Sequence, residues 1–174
     1  MHEKYDLVHV RLLVAAMLPD EWEPAVRNLV QLLKPGGFLQ WEECDFVSAE
    51  HLKGNPSSRI DTAKHIADMF RAALWERFEH GWNELPEHMR AVGLASVTSD
   101  VMASDRVPET RKRMTASIMG LVFTWARVMT ERGAPGSMSG DHLDHLEKEV
   151  HEEIKSGGYF KYNIHVACGR KALE

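Results

Sequence analysis

A strand–helix–strand pattern in the first 43 residues of this 174-residue chain constrains its fold most strongly. The apolar segment Tyr5–Val10 predicts a strand, and Asp20 precedes a helix whose apolar face has helical spacing. Lys34–Gly37 (KPGG) predicts the end of that helix, because Gly supplies a left-handed turn and Pro cannot continue the helix. Phe38–Glu43 then predicts a second strand. Two strands joined by one helix favour parallel pairing through a right-handed crossover, so the pattern indicates an α/β fold. The apolar face of the helix consists of Trp22, Val26, Leu29, Val30 and Leu33.

The same periodicities place the remaining elements. They predict helices over 58–79, 85–92, 108–131 and 141–155, strands over 95–102 and 159–168, and a loop over 51–58. No internal repeat, low-complexity segment or linker interrupts the pattern, so the sequence predicts a single domain over 1–174.

Composition excludes several classes of partner. Lys and Arg number 21 against 26 Asp and Glu, and the resulting charge of −5 argues against nucleic-acid binding. The longest apolar run, Leu12–Leu18, is far shorter than the roughly 20 residues that span a bilayer. The chain opens without a signal-peptide pattern, and Cys44 and Cys168 lie in apolar, strand-like runs typical of buried thiols. These features predict a reduced, cytoplasmic protein that contacts no membrane.

Two motifs resemble a known family. The segments YDLVHVR and LVQLLKPGGFLQWEE, which fall within residues 5–45, resemble class I S-adenosylmethionine-dependent methyltransferases, specifically those of fungal natural-product pathways. The resemblance implies a Rossmann-like sheet, of which residues 5–10, 38–43, 95–102 and 159–168 would form strands 4, 5, 6 and 7. The expected fold is therefore a truncated α/β methyltransferase sheet of about four strands, in the order 4-5-7-6, with helical insertions.

The family's cofactor-binding features do not occur in this sequence. In that family a GxGxG turn and a ribose-binding acid belong to strands that would precede Tyr5, and the chain contains neither. The resemblance thus implies a domain incomplete at its N-terminal side, which binds S-adenosylmethionine only if a partner chain supplies the missing half. Strand Tyr5–Val10 would become an exposed sheet edge. A second copy, a complementing chain or a rearranged segment of this chain is expected to cover it.

Polar candidates cluster where the first two strands end, since ligands of open α/β sheets bind beyond the carboxyl ends of the strands. His9 is a candidate general base or a structural histidine. Arg11 is a candidate clamp for a substrate carboxylate, or an ion-pair partner of Glu43. Glu43 and Asp45 could share a proton-transfer role if one is desolvated, or could form a solvated strand end.

Apolar candidates are expected to surround these polar groups. The stretch 75–82 brings aromatic residues around His80, the second acid/base candidate, although core packing gives the same pattern. Met119 and Phe123 lie off the main apolar stripe of their helix, so their side chains are expected to face a cavity or a second copy of the chain, or to belong to the core. Helical insertions over 58–80 and 108–156 would then form a substrate lid. The predicted substrate-contacting side chains, besides Arg11, are Trp41, Trp75, Phe78, Trp82, Met119 and Phe123.

Metal chemistry is not indicated. His142, His145 and His151 lie on one predicted helix, but His151 falls on the other flank of its apolar stripe, so one ion cannot reach all three. The sequence contains no HExxH motif. We therefore predict no metal site.

Three functions remain open. The first is a methyltransferase-like protein that acts on a small hydrophobic natural product as a cofactor-independent isomerase, cyclase or lyase, through acid/base and positioning effects. The second is an S-adenosylmethionine-dependent methyltransferase completed by a second chain. The third is a non-catalytic binding remnant.

Overall fold

A computed structural model describes residues 3–173 as a mixed α/β protein. The strands are β1 (Tyr5–Arg11), β2 (Leu33–Lys53), β3 (Ala95–Ala103) and β4 (Gly158–Arg170), and the helices are α1 (Trp22–Val30), α2 (Asp61–Ala73), α3 (Trp75–Phe78), α4 (Leu85–Ala91), α5 (Arg111–Glu131) and α6 (Gly140–Ser156). Short 3-10 helices at Pro19–Glu21 and Pro108–Thr110 precede α1 and α5.

The chain divides into two compact units. The first, unit 1, comprises the residues up to Val47, Leu74–Met102 and the residues from Asn163 onward. The second, unit 2, comprises Ser48–Ala73 and Ala103–Tyr162. Because each unit is assembled from segments that alternate along the chain, no linker in the sequence marks the division.

The four strands form one sheet in the order β1-β2-β4-β3. This order and the α/β class agree with the expectation from sequence. β1 pairs with β2 in parallel, and the register places Val8 opposite Leu39 and Arg11 opposite Glu42. β1 lies at one end of the sheet, and Leu7 within it is 54% exposed. The predicted apolar edge strand is therefore confirmed, whereas what covers it stays a prediction.

The bounds of α1 and β2 differ from those predicted. α1 ends at Val30, and Leu33 is the first residue of β2, so it does not belong to the helical face. The strand predicted over 38–43 extends to Lys53 and includes part of the predicted loop 51–58. The turn residues Gly54, Asn55 and Pro56 follow the strand, so the loop begins where they begin.

Packing in unit 1 depends on a glycine beneath a tryptophan. The rings of Trp22 and Trp41 are both fully buried, with centroids 5.6 Å apart. Gly81 has φ +88°, and a Cβ at this position would lie 2.0 Å from Nε1 of Trp22. No residue other than glycine fits here without displacement of the indole.

Helices α2, α5 and α6 belong to unit 2. α6 begins after Ser139, whose hydroxyl accepts a hydrogen bond from the amide of His142, and ends at Gly157 in the left-handed conformation. The helix predicted over 141–155 is thus confirmed. The buried carboxylate of Glu153 accepts hydrogen bonds from the amides of Thr62 and Ala63, both at 2.9 Å, and so caps the first turn of α2 from a distant helix.

The single helix predicted over 58–79 is wrong. α2 ends at Ala73, Leu74 has non-helical angles (φ −115°, ψ 20°), and α3 follows in unit 1 while α2 lies in unit 2. No Gly or Pro marks this break, and apolar spacing continues across it from Phe70 through Leu74 to Phe78. The insertion predicted over 58–80 is therefore two separate elements, and a lid role for it stays a prediction.

Candidate functional site

β2 continues to Lys53, so the acidic candidates lie within this strand and its predicted end at Glu43 is wrong. Beside the C-terminal end of β1, the polar side chains form two separate arrangements in unit 1. In the first, Nε2 of His9 lies 3.1 Å from Oε1 of Glu42, and the side-chain amide of Gln40 donates to the same oxygen at 2.8 Å. The side chain of His9 is 41% exposed. A histidine that contacts a carboxylate beside the end of a strand has the geometry of a proton-transfer pair, so His9 keeps its place as an acid/base candidate.

The second arrangement is built around Glu43. Its carboxylate is fully buried and accepts hydrogen bonds from the amides of Leu13 (2.8 Å) and Val14 (3.1 Å) and from the indole of Trp41 (2.6 Å). Burial raises the pKa of Glu43, and these hydrogen bonds oppose that shift. Glu43 therefore anchors the loop that follows β1. Its oxygens are bonded by N–H donors rather than by Arg11, which lies exposed at the end of β1.

Asp45 lies two residues further along β2 and is 6% exposed. Its Oδ1 accepts a hydrogen bond from the amide of Val47 at 2.9 Å. Glu43 and Asp45 are thus bonded by different donors, and a proton shared between them stays a prediction.

An aromatic cluster forms a wall in the same unit. The ring of Phe78 is buried with its centroid 5.0 Å from that of Phe46. The indole of Trp82 donates to the carbonyl of Phe78 at 2.5 Å, and the Trp82 ring stands edge-on to His165 with centroids 4.5 Å apart. Phe78 and Trp82 are therefore brought together, as the sequence predicted.

His165 in β4 is the candidate that sequence reasoning missed. It lines a cleft of about 70 Å³ that also contains Trp82 and Asp100. Burial lowers the pKa of His165, and the negative charge of Asp45 opposes that shift. The signal in the sequence was a histidine inside an otherwise apolar strand, in the run YNIHVAC.

Three further site candidates lie either at the surface or in the core. Trp75 is 42% exposed, and His80 is exposed in the turn after α3. Trp41 is fully buried against Trp22 and Glu43, so it is a core residue. The substrate-contacting role predicted for Trp41 and Trp75 and the acid/base role predicted for His80 stay predictions.

Met119 and Phe123 are 2% and 1% exposed, respectively, in the core of unit 2. Apolar spacing predicts that the main stripe of this helix consists of Met114, Ile118, Leu121, Val122, Trp125 and Met129, but Leu121 is 41% exposed. The buried face is rotated toward Thr115, Met119 and Phe123, which corrects the prediction that the last two lie off the packing stripe.

Neither metal binding nor membrane spanning is evident in residues 3–173. No group of three or more His, Cys, Asp or Glu side chains in this part of the chain could hold a metal ion. No helix there is long and apolar enough to cross a membrane. Cys44 is buried, Cys168 is partly buried, and neither forms a disulfide within the described residues.

Comparison with known proteins identifies fungal methyltransferases as relatives. The chain is 28% identical to methyltransferase psoC of Aspergillus fumigatus over 172 residues, which is 97% of this chain and 60% of that protein. It is 25% identical to N-methyltransferase gliN of the same organism, over 92% of this chain and 59% of the relative. Over 42 residues it is 62% identical to methyltransferase grgD of a Penicillium species. These matches confirm the resemblance seen in the motifs, and the chain spans about three-fifths of psoC and gliN. No family model matches the chain.

Solved structures give a weaker likeness. Phosphoethanolamine N-methyltransferase 2 of Haemonchus contortus matches 99% of this chain and 34% of its own, with 13% identity and a TM-score of 0.47. The [4+2]-cyclase SpnF matches 99% of this chain and 52% of its own, with 15% identity and a TM-score of 0.44. At these values the likenesses say nothing about the activity of this chain.

Proposed function

We propose that this chain is the acceptor-side part of an S-adenosylmethionine-dependent methyltransferase that acts on a small hydrophobic molecule. The observation that carries the proposal is the alignment of almost the whole chain with psoC and gliN, whose names describe them as a methyltransferase and an N-methyltransferase. The part of each relative that this chain does not match, about two-fifths of its length, would supply the methyl-donor site.

The geometry of unit 1 supports an acceptor site at the C-terminal end of β1, where Arg11 lies opposite Glu42 of β2. In parallel α/β sheets the ligand lies beyond the carboxyl ends of the strands. There the His9–Glu42 pair could accept the proton that the acceptor loses during methyl transfer. Glu43 holds the neighbouring backbone at Leu13 and Val14, and so would fix the shape of this end of the sheet.

The exposed edge of β1 supports the need for a second polypeptide or a further segment of chain. A parallel edge strand leaves backbone N–H and C=O groups without a strand partner, and apolar side chains such as Leu7 are exposed beside them. We infer that the donor-side half, or a second copy of this chain, pairs with this edge. S-adenosylmethionine would then bind to the completed protein and not to this chain alone.

The test combines this chain with the polypeptide encoded immediately upstream of it. Calorimetry with S-adenosylhomocysteine should show no binding to the chain alone at low micromolar concentration and saturable binding to the purified complex. Leu7→Lys should prevent co-purification, because a charge would be placed on the apolar edge. Val101→Lys is the matched control, since Val101 is 52% exposed on β3 at the other end of the sheet. Micromolar binding by the isolated chain, or an upstream region without a glycine-rich turn, would contradict the proposal.

A second candidate is a cofactor-independent isomerase, cyclase or lyase. It is favoured by His165, a titratable side chain that lines a cleft beside Trp82 and Asp100 within unit 1. Such a group could move a proton on a bound substrate without a methyl donor.

Product mass separates the two candidates. The chain alone is incubated with a metabolite extract of the source organism. Isomerisation and cyclisation leave the substrate mass unchanged and elimination by a lyase lowers it by the mass of the group lost, whereas methyl transfer adds one CH₂. If the second candidate is correct, His165→Gln should slow the reaction that keeps or lowers the mass by roughly 100-fold or more. A reaction of this kind that proceeds equally fast in this variant would remove the candidate.

A further inference from the structure

Unit 2 contains an apolar cavity that neither proposed reaction uses. Its volume is about 230 Å³, and it lies among α2, α5 and the loop between α5 and α6. All the residues that line it belong to unit 2.

The lining is rich in thioether and aromatic groups. Met69, Met129 and Met138 contribute sulfur, Trp125 contributes an indole, and no lining residue carries a charge. The ring of Phe70 stands edge-on to Trp125 with centroids 5.3 Å apart, which restricts the orientation of the indole. Thioethers make favourable contacts with aromatic rings, so this lining suits a flat aromatic ligand.

The loop wall of the cavity is held in place by hydrogen bonds. The hydroxyl of Thr130 lies 2.6 Å from the carbonyl of Met138, to which it can donate. The amide of Ala134 donates to the carbonyl of Met129 at 3.0 Å, and the amide of Ser137 donates to the carbonyl of Ala134 at 3.0 Å. A cavity whose walls are fixed before binding loses little freedom when a ligand enters.

We propose that this cavity binds an uncharged aromatic molecule of about two fused rings. An apolar protein cavity of about 150 Å³ accommodates one benzene, and 230 Å³ is roughly one and a half times that volume. A charged ring system is excluded, because its charge would lose water without gaining a partner in the lining. The exposed loop residues Pro135–Ser137 leave a solvent-facing side where a single polar substituent can stay hydrated.

The inference does not depend on methyl transfer. Binding to the cavity requires neither a methyl donor nor a second chain, because every lining residue is present in unit 2. If the cavity binds its ligand while the completed protein fails to bind S-adenosylhomocysteine, only the proposed function fails. If the completed protein binds S-adenosylhomocysteine but the cavity binds no aromatic ligand, only the cavity proposal fails.

The experiment uses the full chain labelled with ¹³C at the methionine methyl groups and titrated with 2-naphthol. The chain has nine methionines, and we expect saturable shifts of the methyl signals of Met69, Met129 and Met138, while those of methionines outside the lining, such as Met17 and Met89, stay unchanged. Naphthalene-2-sulfonate should cause no saturable shift. Unchanged signals for all three lining methionines, or equal shifts for those outside the lining, would overturn the proposal.

A pair of variants locates the site independently. Ala126 lines the cavity and is 7% exposed, so Ala126→Leu should fill part of the space and weaken 2-naphthol binding at least tenfold. Ala116→Leu is the matched control on the exposed face of the same helix and should bind like the unsubstituted chain. Unchanged affinity in a folded Ala126→Leu variant would refute the assignment. If that variant does not fold, the methyl titration of the unsubstituted chain decides.

Discussion

His51 should make the stability of unit 2 fall as the pH falls from neutral. The residue lies in β2, and its ring centroid is 4.7 Å from that of Phe160 in β4. Its Nε2 is buried and has no hydrogen-bond partner among the residues described. Burial lowers the pKa of His51 to about 4, Asp68 opposes that shift, and Lys64 and Arg71 add to it.

The sign and size of the effect follow from this pKa. The folded chain keeps His51 neutral down to about pH 4, whereas the unfolded chain binds the proton near pH 6.5. The stabilisation is fully present above pH 6.5 and is lost as the pH falls through the window from 6.5 to 4. The 2.5-unit difference corresponds to at most about 3.4 kcal/mol, of which about 2 kcal/mol is lost by pH 5.

The assay compares urea unfolding at pH 7 and pH 5. His51→Leu replaces the titrating ring with an apolar side chain. Between pH 7 and pH 5 the free energy of unfolding of this variant should therefore fall by about 2 kcal/mol less than that of the unsubstituted chain. His151→Leu is the control, because His151 is exposed on α6. The raised pKa of Glu43 acts in the opposite sense near pH 5, but it is common to all three proteins and cancels in the differences. Equal pH dependence in His51→Leu and the unsubstituted chain, or an NMR titration of His51 near pH 6.5, would refute the reasoning.

Three further substitutions test buried contacts by urea unfolding. Glu153→Ala should lower the free energy of unfolding by about 2 kcal/mol, because it leaves two buried backbone amides of α2 without an acceptor, whereas the exposed neighbour variant Glu152→Ala should lower it far less. Gly81→Ala should cost at least about 2 kcal/mol more than Gly93→Ala, because the two sites have φ of +88° and +89° and only the added Cβ at Gly81 meets another side chain. Glu43→Gln should cost about 1–3 kcal/mol, since the amide nitrogen cannot accept the hydrogen bonds that the carboxylate accepts. Each contact would be contradicted by its own result. For the cap it is an equal loss of stability in Glu152→Ala and Glu153→Ala, and for Gly81 it is an equal loss in the two glycine variants. For Glu43 it is an unchanged free energy of unfolding in Glu43→Gln.

Local signals in the sequence were sufficient to predict the sheet. Alternation and turn residues identify all four strands, and the resemblance to methyltransferases supplies their order. The helix predicted over 141–155 agrees with α6, both ends of which are set by residues close in sequence: the side chain of Ser139 caps its start, and Gly157 ends it in the left-handed conformation.

Features that depend on distant contacts could not be predicted in this way. The break at Leu74 has no Gly or Pro, and the apolar spacing across it is that of a continuous helix. The cap of α2 comes from Glu153, about 90 residues away, and exposed acids have the same sequence pattern. The buried face of α5 includes Thr115, whose hydroxyl accepts a hydrogen bond from the amide of Phe160, and apolar spacing alone does not identify a buried polar residue.

The hydrogen bonds of Glu43 argue against a proton-transfer role for its carboxylate. A carboxylate whose oxygens accept three N–H hydrogen bonds cannot also take a substrate proton without releasing the loop it anchors. Two histidines of unit 1, His9 and His165, can be tested separately, and the roles predicted for Asp45 and His80 stay predictions. His9 lies on the edge strand that a donor-side half would cover, whereas His165 lines a cleft formed by residues of unit 1 alone. His9→Gln should therefore impair a methyltransferase only after completion by the second polypeptide, and His165→Gln should impair an enzyme that works without one. Measurement of both variants, with and without the upstream polypeptide, distinguishes the two functions even before the natural substrate is known.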